Sequence, residues 1–176
     1  MTSTVLRAPA SRPATGAPAW SARACSDSDY DDVLAFFSEP DFFFRTAEPD
    51  TRSEWEIRKL VGADTRLLLA DDEPAGLYAL EGFGGEHGCH YQLHLRLRAA
   101  APNAWWHSAF EEIVRALTWK KELVRLAVQV GEFDGRGLAF ARSLGLTEEG
   151  TLASVVRHGG QRYGYVFFAR IWALTS

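Results

Sequence analysis

The chain has 176 residues, 47% of them apolar and 12% aromatic, with a formal net charge of −4. That size and apolar share suit one domain around one buried core and exclude a chain that is disordered throughout. The acidic balance excludes the broad basic footprint by which proteins hold nucleic acid, although positions 101–176 carry nine Lys and Arg against seven Asp and Glu and leave room for a local cationic patch.

Positions 1–18 are dominated by Ala, Pro, Ser, Thr and Gly, which bury too little apolar surface to offset the ordering of the backbone, so a disordered tail is expected there and a single domain over 19–176. The stretch 20–25 reads as a first strand, and Ser26-Asp27-Ser28-Asp29 offers caps for a helix over 31–37. Phe36, Phe37, Phe42, Phe43 and Phe44 then crowd a Pro-Asp turn at Pro40, either as core or as the wall of a substrate pocket. A second helix is expected over 50–61. The runs 66–70 and 75–81, joined by the acidic turn Asp71-Asp72-Glu73-Pro74, read as an antiparallel hairpin.

In 89–98 the apolar Tyr91, Leu93, Leu95 and Leu97 alternate with His90, Gln92, His94, Arg96 and Arg98, the period-2 pattern of a strand with one apolar face and one face of donors. After Pro102-Asn103 the period changes. Trp106, Phe110, Ile113, Val114 and Leu117 fall at helical spacing, Glu111 and Arg115 offer an i,i+4 pair, and the spacing predicts a helix of about four turns. The short apolar run 123–130 reads as another strand. From Asp134 the residues Leu138, Ala141 and Leu144 are again helical, and Gly145 stands where a left-handed cap stops a helix. The runs 151–157 and 162–172 flank the turn Gly159-Gly160 as a terminal hairpin. The expected order is strand, two helices, three strands, helix, strand, helix, two strands, a mixed α/β (α+β) domain.

Cys25 and Cys89 are too few for a disulfide scaffold, and with no charged-then-apolar leader pattern the expected compartment is the cytosol. The longest apolar run near the end, 165–174, is interrupted by Arg170 and too short to span a bilayer, so no membrane partner is expected. Glu86-His87-Gly88-Cys89-His90 contains ligand chemistry, but Cys89 and His90 point to opposite sides of a strand and no second Cys/His cluster exists, so no metal is expected. Of Trp105 and Trp106, one should be core and one rim; an exposed Trp105 beside Arg98 could receive a partner protein or an adenine ring.

The element order over 20–174, with Leu126-Ala127-Val128 leading into Asp134-x-x-Gly137 and then Phe140-Ala141-Arg142-Ser143-Leu144-Gly145-Leu146-Thr147-Glu148-Glu149-Gly150-Thr151-Leu152, resembles the GNAT superfamily of N-acetyltransferases, nearest to its ribosomal-protein-acetylase-like branch. The resemblance implies a seven-stranded mixed sheet flanked by four helices and splayed between its fourth and fifth strands, diverging at 96–98. A pantetheine thioester would lie in that opening against Leu95 and Leu97, with an amine acceptor entering from the other side. The implied reaction is N-acyl transfer from acyl-CoA, or from the phosphopantetheine arm of an acyl-carrier protein, to the amine of a small molecule.

In the family a loop of the form Gln/Arg-x-x-Gly-x-Gly/Ala carries the diphosphate of coenzyme A on backbone amides at a helix start, where the helix dipole also favours an anion. Here the matching residues are Arg98-Ala99-Ala100-Ala101-Pro102-Asn103: the basic first position is kept, Ala101 and Asn103 replace glycines, and Pro102 removes a donor. Asp134 replaces the usual Asn and, with Arg136, is expected near the cofactor's polar groups. Ala141 stands at the position of the Tyr proposed as general acid. These departures agree with a carrier-protein donor met by Arg98, Arg136 and Arg142, with an aminoacyl-tRNA donor, or with a non-catalytic binding module; the missing basic excess weighs against tRNA. A homodimer is left open.

For amine chemistry the polar face of the 89–98 strand supplies the candidates. His94 and His90 can accept a proton near neutral pH, with Glu81 as a further base, while a hydrogen-bonded sheet face is the competing account. Gln92, Tyr163 and Tyr165 are expected to edge the acceptor site, and packing on the sheet competes for the tyrosines.

Overall fold

The computed structural model describes residues 16–45, 50, 53–84, 88–120 and 122–172. Most of the expected tail, 1–15, lies outside the described residues, as do 51–52 of the expected second helix and Glu86 and His87. Pro18 is buried, and Ala19 exchanges hydrogen bonds with Asp71 (2.8 and 2.9 Å).

The elements run β1 (Trp20–Ala24), α1 (Tyr30–Ser38), α2 (Glu54–Leu60), β2 (Arg66–Ala70), β3 (Glu73–Phe83), β4 (His90–Leu97), α3 (Asn103–Lys120), β5 (Arg125–Gly131), α4 (Gly135–Ser143), β6 (Thr147–His158) and β7 (Gln161–Ile171), with a 3-10 turn at Asp27–Asp29. They form one mixed sheet in the order β1-β2-β3-β4-β5-β7-β6. All neighbours are antiparallel except β4 and β5, which pair in parallel only from His90–Gln92 to Arg125–Ala127. Beyond Gln92 the two strands part, so the opening begins at Leu93 rather than at 96–98. Bulky side chains, among them Arg96, Trp106 and Phe133, line the gap. Among the described residues no helix is long and apolar enough to cross a membrane.

The hairpin between β2 and β3 is tighter than the sequence suggests. Ala70 pairs with Glu73, leaving Asp71 and Asp72 as a two-residue turn with φ of 50° and 69°. Positive φ at both central residues matches the right-handed twist of the flanking strands, and Asp tolerates that conformation better than most side chains. Pro74 then falls inside β3, where it is harmless: β4 ends at Leu97 opposite Gly76, so Pro74 lies past that ladder. The helix α3 has 18 residues, about five turns, because nothing between Asn103 and Lys120 breaks it. Within it Arg115 pairs with Glu112.

Two cores flank the sheet. On one face α3 and α4 cover Leu93, Leu97, Leu126 and Phe168 with Trp106, Phe110 and Ile113. On the other, α1 and α2 cover Leu67 and Leu77 with Val33, Phe36, Phe37, Phe42, Phe44 and Ile57. The phenylalanine run is therefore mostly core. The strand β6 lies at the sheet edge and is exposed along nearly its whole length; bulges near Gly150 and after Leu152 interrupt its ladder, which discourages edge-to-edge pairing.

Candidate active site

Where β4 and β5 separate, a cavity of about 320 Å³ opens through the sheet, with Gln92, His94 and Leu95 on one wall and Val128 to Gly131 on the other. The parallel ladder ends at Gln92, and backbone past the end of a ladder is where N–H donors for a developing oxyanion can be found. Phe43, Phe44, Glu81 and Tyr165 close the side under α1 and α2.

His94 and Glu81 meet because β3 and β4 are antiparallel: Ala79 faces His94 and Glu81 faces Gln92, so Glu81 and His94 are diagonal neighbours on one face. His94 Nε2 lies 3.1 Å from Glu81 Oε1. The contact is close but poorly aligned, and among the described residues Nε2 has no well-directed hydrogen-bond partner. Burial holds the His94 imidazole below its ordinary pKa; Glu81 opposes that shift and Arg45 adds to it. Glu81 is itself fixed by Arg45 Nη2 at 2.5 Å, and Arg45 Nη1 reaches Asp64 at 2.9 Å. The result is a neutral imidazole, backed by an anchored carboxylate, facing the cleft.

The other sequence candidates separate into distinct groups. Gln92, Leu95 and Tyr165 line the cleft with His94. His90 does not: it lies on the paired part of β4, stacked on Phe83 at 4.9 Å, with its pKa lowered by burial and by Arg125. Leu97 is core, 1% exposed, because the strand turns its side chain under α3. Tyr163 stands outside the cleft lining, edge-on to Phe133 at 5.6 Å. Trp105 is half-buried and packs against Trp20 in a T-shaped contact at 5.8 Å. Ala141 is fully buried in the α3/α4 core.

Asp134 differs most from its expected role. Its carboxylate is buried, takes a bidentate pair from Arg96 (2.6 and 2.8 Å) and accepts the Gly137 N–H at 2.9 Å as the cap of α4. It is a wall of the cleft, and its oxygens are spent within the protein. Gly137 is obligatory beside it, since a Cβ there would lie 2.2 Å from Asp134 Oδ2. The Asp-x-x-Gly spacing was an available signal for this cap. Arg96 was read only as one donor of a polar face; it is 3% exposed and also donates to the Asp41 carbonyl at 2.6 Å.

Arg136 likewise serves the protein. Its guanidinium donates to the carbonyls of Arg98 (3.2 Å), Ala99 (3.4 Å) and Ala101 (3.1 Å), so it braces the loop it was expected to help bind a ligand. Ala101 is buried in that loop, and Asn103 lines a second cavity of about 400 Å³ between α3 and α4, with Trp106, His107, Arg136, Phe140 and Ser143. Trp106 borders both cavities. Sequence reading also missed His158. Its Nδ1 lies 2.7 Å from Asp50 Oδ1, and its ring lies 4.6 Å from Phe133 and 5.5 Å from Phe43, two side chains of the cleft wall.

No known family profile matches the sequence, and no curated protein does. Solved structures do. One is an acetyltransferase from Salmonella typhimurium that modifies the N-terminal serine of the 50S ribosomal subunit protein L7/L12: TM-score 0.71, 14% identity, 92% of this chain and 98% of that one. A GNAT-family acetyltransferase from Bacillus anthracis gives TM-score 0.71 and 16% identity over 88% and 96% of the two chains. A spermidine N-acetyltransferase from Vibrio cholerae, in complex with CoA and spermine, gives TM-score 0.68 and 13% identity over 86% and 95%. The chain has the GNAT acetyltransferase fold.

Proposed function

We propose that the protein is an N-acyltransferase that carries an acyl group from a phosphopantetheine thioester to the amine of a small molecule, with His94 as general base. The observation that carries this reading is the buried His94 imidazole held 3.1 Å from Glu81 at the point where β4 and β5 part.

An amine reaches neutral solution as an ammonium ion and must lose a proton before it can attack. His94 accepts that proton, and Glu81, 3.1 Å away, stabilises the resulting imidazolium. The amine nitrogen then forms a bond to the thioester carbonyl carbon, backbone N–H groups along the opened edge of β4 hold the oxyanion, and collapse breaks the C–S bond. With Ala141 sealed in the core, the departing thiolate takes its proton from the His94 imidazolium or from solvent, and the second proton of the attacking nitrogen passes to the imidazole so freed or to solvent. Gln92 and Tyr165 border the same cavity and orient the acceptor.

A cavity of about 320 Å³ supports a small acceptor. The similar structures act on a protein N-terminus in one case and on spermidine in another, so the acceptor class rests on the cleft. For the donor, Arg136 is committed to the loop and Arg142 lies 3.4 Å from Glu148, which leaves Arg98 as the cation best suited to a phosphate. Mass spectrometry of amine panels incubated with the protein and either acyl-CoA or an acylated carrier protein tests the reading. A mass gain of one acyl group on a small amine is expected. Acylation of no amine from either donor would overturn it.

A further inference from the structure

The turn from β4 into α3 would be an anion site by position, since amides near a helix start carry partial positive charge. In this chain several of the amides of that turn are already used. The Arg98 N–H donates to the Ala75 carbonyl (2.9 Å), the Ala101 N–H to the Arg98 carbonyl (3.0 Å), and Pro102 has no N–H. The Ala99 N–H donates to a carboxylate of the protein itself, Glu39 Oε2, at 2.6 Å. Glu39 follows α1 directly and lies sixty positions away in sequence. Close by, Asp41 Oδ2 approaches Arg136 at 3.9 Å, so the guanidinium nearest the turn is also met by a second carboxylate.

A second observation points to a ligand beside this turn. Trp106 is 2% exposed, its indole N–H has no hydrogen-bond partner among the described residues, and it borders both the sheet cavity and the one between α3 and α4. A buried donor left unpaired is costly, and a chain passing from one cavity to the other would bring acceptors to it.

We propose that Glu39 is an internal stand-in for phosphate that selects against donors carrying a diphosphate. The inference rests on the pantetheine-donor reading above and concerns only which form of that donor is accepted. A diphosphate seated at the turn competes with Glu39 for the Ala99 amide and meets the Glu39 and Asp41 carboxylates, against like-charge repulsion. An arm with a single phosphodiester presents less charge, and bare pantetheine presents none.

The test is titration calorimetry of the full chain with coenzyme A, 4′-phosphopantetheine and pantetheine, repeated on Glu39→Ala. Glu39→Gln keeps the length of the side chain and guards against an effect of lost packing. Wild type is expected to gain little affinity from pantetheine to coenzyme A. Glu39→Ala should tighten coenzyme A about tenfold, Glu39→Gln by less, and both should leave pantetheine unchanged. Unchanged or weaker coenzyme A binding in both variants would overturn the role of Glu39 while leaving the donor reading intact. Equal tightening of all three compounds would overturn it too. Wild type that binds none of the three would remove the donor reading and this inference with it.

Discussion

His94 and His90 share one face of β4 and one residue type, yet only His94 faces the cleft with a carboxylate at hand. What separates them is the point where β4 leaves β5, a tertiary feature that alternation along a strand cannot encode. The chemistry expected of His94 follows from its burial. Its pKa lies below the ordinary 6.5, so it is neutral at pH 7, and kcat/KM for amine acylation should rise as pH rises through that depressed value and then level off as far as His94 governs it. Glu81 raises the His94 pKa, so Glu81→Gln should move the acidic limb to still lower pH and reduce the plateau. A pH–rate profile on both proteins checks this; an unmoved limb in Glu81→Gln would detach Glu81 from His94. The same shift has a consequence for folding. Because the folded state resists protonating His94, its contribution is intact above about pH 6.5 and is lost as pH falls from there through the folded value.

At the scale of elements, the short N-terminal part of α4 carries the cleft wall through one buried pair. Arg96 and Asp134 are 3% and 5% exposed, so removing either charge strands the other in a poor dielectric. Asp134→Asn keeps a capping oxygen for Gly137 but leaves Arg96 unpaired, and should cost about 3–5 kcal/mol in denaturant unfolding. A loss below about 1 kcal/mol would mean that the Asp41 carbonyl and water suffice for Arg96. The elements themselves were legible because their signals are local: period 2 in β4, helical spacing in α3, Gly159-Gly160 between β6 and β7. The β2–β3 turn was misjudged because Asp71 and Asp72 adopt positive φ without the glycine that usually announces it, which shifted Glu73 and Pro74 into the strand.

For the whole molecule, the residues gave the order of strands and helices, and the resemblance of that order to the GNAT superfamily implied the mixed sheet and its parallel central pair, an architecture with which the solved structures of similar fold agree. It did not carry the contacts that decide what the site can hold. Arg96 with Asp134, Asp50 with His158 and Glu39 with the Ala99 amide join positions 38, 108 and 60 residues apart, and each uses residues that look like ordinary surface charge in a linear reading. The sequence departures in the 98–103 loop were visible. The reason the loop tolerates them, Arg136 bracing its carbonyls and Glu39 filling an amide, is tertiary.

The central claim, that His94 in the β4–β5 opening drives acyl transfer from a pantetheine thioester to an amine, is tested most directly by thiol release. The rate of free thiol appearing from an acyl-pantetheine donor, with a reactive amine present, should fall by about 10²-fold or more in His94→Ala, with the unfolding midpoint within a few degrees of wild type. Wild-type rates in a folded His94→Ala protein would contradict the account.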